Sequence, residues 1–249
     1  MIIESILKML ERCSAEDSNI PKSFLYNEGW LLRLVLDWFS KHNYDDHPLR
    51  FLDNARWYSG GKLSSAFLAR YRGDKLAEGY TETDGIIGHF VIGDHGKSDI
   101  RIVKLAKQFT VLEAKMFSPL APGIAKAKYY DQAARTVGCI CETLNLSKAD
   151  INKIEILSFY VIAPKMQIDK GIFKKRISLE SISEKVRRRV CEYNTIEKNI
   201  WLHDHFESLI KHIKIGCLSW EDIISYIEKN DSEFFMKLNH FYLCCKQNH

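Results

Sequence analysis

The stretch FTVLEAKMFS, residues 109–118, sets the tightest limit on what this chain can become. Phe109, Val111 and Leu112 are side chains of a sheet interior, and Glu113 and Lys115 follow with only Ala114 between them. Side chains on a strand alternate between faces, so residues two apart share one. The segment therefore predicts a strand over 109–117 with an apolar body and, at its end, an acid and a base side by side on one face.

Little else in the totals narrows the problem. The chain has 249 residues, 46% of them apolar and 27% charged, a globular composition long enough to bury a core without staples. No run of about 18 apolar residues occurs, so no membrane span is expected. MIIESILKMLERC reads as an amphipathic helix over 1–14 and not as an export signal. The seven cysteines lack paired CxxC spacing, and the expectation is a cytoplasmic protein with reduced thiols and no zinc ribbon. A net charge of +4 does not by itself announce a nucleic-acid partner.

Periodicity lays out the elements. A helix is expected over 23–43, with Leu25, Leu32, Leu36 and Phe39 near one face, stopping before Pro48. DGIIGHFVIG, residues 84–93, reads as a strand, and DHGKSDIRIVKLAK as a polar excursion before strand 109–117. A helix is expected over 124–145 and a strand over 153–164, ended by Pro164. From Ser178 onward the pattern is helical. The sum is an α/β chain read as one domain: a mixed sheet of three to five strands in a core at about 24–165, with a helical C-terminal appendage at 178–249.

In this layout Asp84 opens one strand, Glu113 and Lys115 end another, Gln132 lies on the following helix and Glu28 on the preceding one. That set suits metal-assisted phosphodiester hydrolysis. A phosphodiester is already negative and repels nucleophiles, so cleavage needs charge neutralisation and an activated water. Mg²⁺ is held by hard oxygens, usually one or two carboxylates with water completing the shell. Asp84 and Glu113 supply carboxylates, the backbone carbonyl of Ala114 a further oxygen, and Lys115 a cation to orient the water or meet developing charge.

The order Asp84 … Glu113-Ala114-Lys115, with Gln132 on the next helix, resembles the PD-(D/E)xK nuclease superfamily, the restriction-endonuclease-like fold. The resemblance spans about residues 24–165. It implies a core of a helix, three strands, a helix and a further strand, and a Mg²⁺-dependent nuclease, with Mn²⁺ as a substitute ion. Its substrate would be nucleic acid, DNA ahead of RNA, and cutting both strands of a duplex would take a homodimer or successive nicks. By the same analogy Glu28 matches the acid of the first core helix and Gln132 the polar residue of the second. Thr83 stands where the motif's name has proline, and Thr136 stands four residues after Gln132, where a recombination-nuclease branch has tyrosine.

Plainer readings compete at each position. Glu113 and Lys115 alone would make a weak ion pair on an exposed strand face. Asp84 before Gly85 is ordinary turn chemistry, and Glu28 a carboxylate favoured at a helix start. Lys126 and Lys128 are phosphate-contact candidates because they lie near the proposed site. The basic runs at 174–176 and 187–189 read as solvated faces. His203 and His205, two apart on a helix, should not share an ion, and His89 reads as a structural or rim residue. No G-x-G-x-x-G, GxxxxGK[ST], GxSxG or HExxH occurs, so dinucleotide, motor, serine-hydrolase and zincin chemistry lack support. Two alternatives stay open: a degenerate site on a nucleic-acid-binding or assembly protein, and a phosphodiesterase acting on a small nucleotide.

Overall fold

The strand that carries Glu113 lies at the centre of a five-stranded mixed sheet. The computed structural model describes residues 12, 20–42, 44–93, 99–123 and 127–248. The first long helix, α1 (Glu28–Ser40), is preceded by a single turn at Lys22–Leu25 rather than running unbroken from residue 23. Asn27 caps it by accepting the Trp30 N–H, which satisfies one of the donors a helix start leaves open. Seven strands follow: β1 (Arg56–Tyr58), β2 (Lys62–Leu63), β3 (Thr81–Glu82), β4 (Gly85–Gly88), β5 (Phe90–Ile92), β6 (Ile100–Ile102) and β7 (Gln108–Ala114). After them come α2 (Gln132–Leu146), β8 (Ile156–Ala163), a short α3 (Lys165–Asp169), and α4 (Leu179–Tyr193). The chain ends with α5 (Ile196–Ile200), a π-helical stretch at Trp201–Phe206, α6 (Glu207–His212), β9 (Lys214–Ser219), α7 (Trp220–Asn230) and α8 (Ser232–Gln247).

The sheet order is β1-β4-β7-β8-β9. β1, β4 and β7 form an antiparallel meander, while β8 and β9 add in parallel. All seven residues of β7 are buried, because helices cover both faces of the sheet. Alternation splits the core in two. Ile86, Phe109, Val111, Phe159 and Val161 face α2 and α4. Ile87, Leu112, Ala114, Tyr160 and Ile162 face α1, α7 and α8.

Three expectations are corrected. The strand over 84–93 is broken at Gly88, whose φ of +152° suits glycine and where a Cβ would meet the Gln108 carbonyl oxygen at 2.1 Å. Beyond that break β5 pairs with β6 as a separate ribbon. The helix expected from 124 begins at Gln132, because Asp131 takes the cap position and accepts the Ala134 N–H. The C-terminal part is no appendage: β9 forms the sheet's edge beside β8, and Trp220, Ile223, Ile227, Leu238 and Tyr242 complete the core over α1. Asp84-Gly85 opens the strand as expected and does not form the turn of the plainer reading. Gly85 lies within β4, where a Cβ would come within 3.0 Å of Leu32 and Leu36 on α1. The helix expected at 1–14 lies outside the described residues except for Arg12. Among the described residues no helix is long and apolar enough to cross a membrane.

Candidate active site

Register brings the two acids together. β4 and β7 pair Gly85 with Leu112 and Ile86 with Val111, so Asp84, the residue before β4, falls opposite Glu113. Both continue the face that carries Ile86 and Val111. Asp84 Oδ2 accepts the Ala114 N–H at 2.8 Å, and its carboxyl hydrogen-bonds with that of Glu113. Lys115, two residues on, returns to the same face and places Nζ 2.6 Å from Glu113 Oε1. The Lys115 side chain is 14% exposed and that of Glu113 6%, so this is no surface ion pair.

Gln132 completes the cluster from the first turn of α2. Its Oε1 accepts the Ala121 N–H at 2.9 Å, which fixes the amide's orientation. Its Nε2 must then donate, and it does so to Glu113 Oε1 at 2.5 Å. Gln132 thereby ties Glu113 to the segment that follows β7. Asp131, the cap that sets where α2 begins, is itself held by Lys185 Nζ at 2.7 Å.

Burial raises the pKa of both acids, since a low-dielectric surrounding disfavours the charged form. Glu113 is pushed up to about 7, first by burial and then by the neighbouring Asp84, with Lys115 and Gln132 working against the rise. Asp84 is raised by burial and by Glu28, opposed by its bond to Ala114 N–H and by the Lys115 charge. Two touching carboxyls cannot both ionise cheaply, so protons leave them as a pair. Two carboxylates, with room for water at the partly exposed Asp84, are groups that could hold a hard divalent cation.

The remaining sequence candidates sort clearly. Glu28, half-buried at the start of α1, is felt electrostatically by Asp84. It does not close a third corner, because among the described residues no three His, Cys, Asp or Glu side chains gather closely enough to hold a metal. Lys128 is exposed in a turn ahead of the Asp131 cap, not on the helix, and Lys126 lies outside the described residues. His89 is structural: Nδ1 accepts from the Gln108 N–H at 3.1 Å and Nε2 donates to the Asp53 carbonyl at 2.9 Å. His203 pairs with Glu207 at 3.5 Å across the π-helical stretch.

Sequence reasoning missed the supports. Trp220, fully buried, donates its indole N–H to the Lys115 carbonyl at 2.9 Å. Gln167 Nε2 donates to the Phe117 carbonyl at 2.5 Å and the Arg176 guanidinium to the Leu120 carbonyl. Three residues after β8, on α3, the turn beyond it and α7, thus pin the run from Lys115 to Leu120. No local signal marks these residues, because each bond joins positions 50 or more apart in the chain. No protein-family model, curated protein or solved structure matches the chain.

Proposed function

We propose that this chain is a divalent-metal-dependent phosphodiesterase of the PD-(D/E)xK kind, acting on nucleic acid. The observation that carries the reading is the meeting of Asp84 and Glu113 on one face of adjacent strands, with the Lys115 ammonium against Glu113. The order α1, β1, β4, β7, α2, β8 supports a restriction-endonuclease-like core: a helix, an antiparallel three-strand meander, a crossover helix and a parallel strand.

Asp84 and Glu113 would hold Mg²⁺ or Mn²⁺. When bound, the ion would supply charge neutralisation at the phosphate and a more acidic water. The chain's own groups do the positioning. Lys115 brings a positive charge to the carboxylate face, where it can orient the attacking water and meet the charge that grows on phosphate oxygen. Gln132, by donating to Glu113, keeps that carboxylate turned toward the cluster. Trp220 and Gln167 hold the backbone on which Lys115 stands. In hydrolysis the water oxygen bonds to phosphorus, one bridging P–O bond breaks, and the water proton passes to the departing oxygen or to solvent.

The test is incubation with linear, circular and single-stranded DNA and with RNA, in Mg²⁺, Mn²⁺ or chelator. Cleavage in either metal, lost in chelator and in Asp84→Ala, is the expected result. A wild-type chain that cuts none of these substrates in either metal overturns the proposal.

A further inference from the structure

Aromatic rings carry large apolar surfaces that folding normally hides, so rings left in solvent point to something that covers them. Among the described residues five aromatic side chains are exposed: Phe24 (69%), Trp30 (42%), Tyr71 (62%), Tyr80 (51%) and Phe117 (36%). Four of the five lie within four residues of a candidate site residue. Phe24 and Trp30 flank Glu28, Tyr80 precedes Asp84, and Phe117 follows Lys115. Four residues of chain reach about 14 Å at most, so each of these rings has its backbone within that distance of a candidate site residue. Tyr71 sits apart, beside Arg70.

Their backbones are anchored. The Tyr80 carbonyl accepts from Arg135 Nη2 at 3.0 Å, one helical turn beyond Gln132. The Phe117 carbonyl is held by Gln167 and the Trp30 N–H by Asn27. A guanidinium lies over one ring, with Arg33 Cζ 4.8 Å from the Trp30 centroid. Exposed Lys22 lies two residues before Phe24, and exposed Lys128 four residues before Gln132. The rim therefore combines fixed rings with positive charge, the pairing that suits a strand of phosphates whose bases are available to stack.

We infer that this rim binds unpaired nucleobases, so that the site prefers a single-stranded or splayed nucleic-acid segment to a continuous duplex. Within a duplex the base faces are stacked on one another, and a protein meets only base edges and backbone. An unpaired base offers its face to any ring, whatever the sequence. The inference deepens the phosphodiesterase reading and rests on it for the purpose of the site, but base binding can be measured without cleavage.

The experiment uses the full chain in chelator and reads fluorescence anisotropy with three labelled probes. These are a DNA single strand, its blunt duplex, and an abasic strand of equal length that keeps the phosphates and lacks the bases. The single strand should bind tightest. Trp30→Leu and Tyr80→Leu should each weaken it by about 5- to 150-fold and leave the abasic strand unchanged, while Tyr80→Phe keeps wild-type binding. Equal affinity for the normal and abasic strands, preference for the duplex, or wild-type binding by both leucine variants overturns the inference. A parallel cleavage assay in Mg²⁺ separates the two ideas. Base-dependent binding without cleavage sustains the rim and sinks the hydrolytic reading, whereas cleavage without base-dependent binding does the reverse.

Discussion

Two buried carboxylates on this chain have opposite fates. Asp74, in the excursion between β2 and β3, is surrounded by donors: Arg70 Nε and Nη2 at 2.8 and 3.1 Å, and the N–H groups of Arg70 and Leu76 at 3.2 and 3.0 Å. The hydrogen bond to the Arg70 side chain, with those backbone bonds, holds its carboxyl well below the usual carboxylate range. Glu113 instead is pushed up to about 7, first by burial and then by the acid it faces, Asp84. Asp74 sits in an arrangement that resolves its charge, as expected where the task is to fix a loop. Asp84 and Glu113 form one that leaves a like-charge conflict inside the protein, which folding alone does not favour. The contrast is what singles out the second pair as the candidate site.

The sharpest way to break this comparison is Glu113→Gln. It should lower metal-dependent cleavage by about 10³-fold, on the order of 4 kcal/mol. Thermal melting in chelator at neutral pH should stay level or rise, because a conflict has been removed, whereas Asp74→Asn should lower melting. If both variants melt early, the two carboxylates are doing the same work. A second probe addresses the resolved region. Arg189 is fully buried, donates to the Leu76 carbonyl, and pairs with Glu192 at 3.0 Å. Arg189→Met should cost about 3 kcal/mol in denaturant unfolding and leave cleavage per folded molecule unchanged.

The comparison also predicts opposite signs with pH. For Glu113 the folded value, about 7, exceeds its ordinary 4.5. Between those values the folded chain keeps a proton that the unfolded chain has released, so metal-free stability should fall as pH rises through that window. The fall should be on the order of 3 kcal/mol, and smaller in Glu113→Gln, where only Asp84 remains raised by burial. For Asp74 the folded value is depressed, so its contribution is present above the ordinary carboxylate range and lost as pH drops below it. Melting curves in chelator from acid to neutral pH test both signs. The smallest effect is the control: Lys41→Ala removes an exposed pair with Asp37 and should change stability by under about 0.5 kcal/mol.

Much of the candidate site could be read in the sequence because strand alternation is rigid. Glu113 and Lys115 are two apart, and Asp84 keeps the parity that returns it to their face once β4 and β7 pair. The element order was legible for the same reason, through apolar runs and their breakers. The edge strand β9 was not. Its residues are exposed or half-buried along most of its length, so it lacks both alternation and a buried run, and it follows helical sequence that hides it. The helix boundary at Gln132 was lost because Lys128-Tyr129-Tyr130 continues a helix-compatible pattern up to the Asp131 cap. Trp220's role was invisible in principle, since its bond to Lys115 spans 105 residues.

The kink at Gly88 carries a last consequence. It turns the chain out of the main sheet directly after β4, and β7 enters again at Gln108, beside the point of departure. Between those points β5 and β6 leave as a self-paired side branch, closed by Phe90 against Ile102 and Ile92 against Ile100. The two acids are 29 positions apart in the chain, yet their alignment is settled entirely by the four ladder rungs beneath that branch. Changing the exposed Val91 or Ile92 of that branch would alter what the protein's flank presents to its surroundings without moving one carboxylate relative to the other.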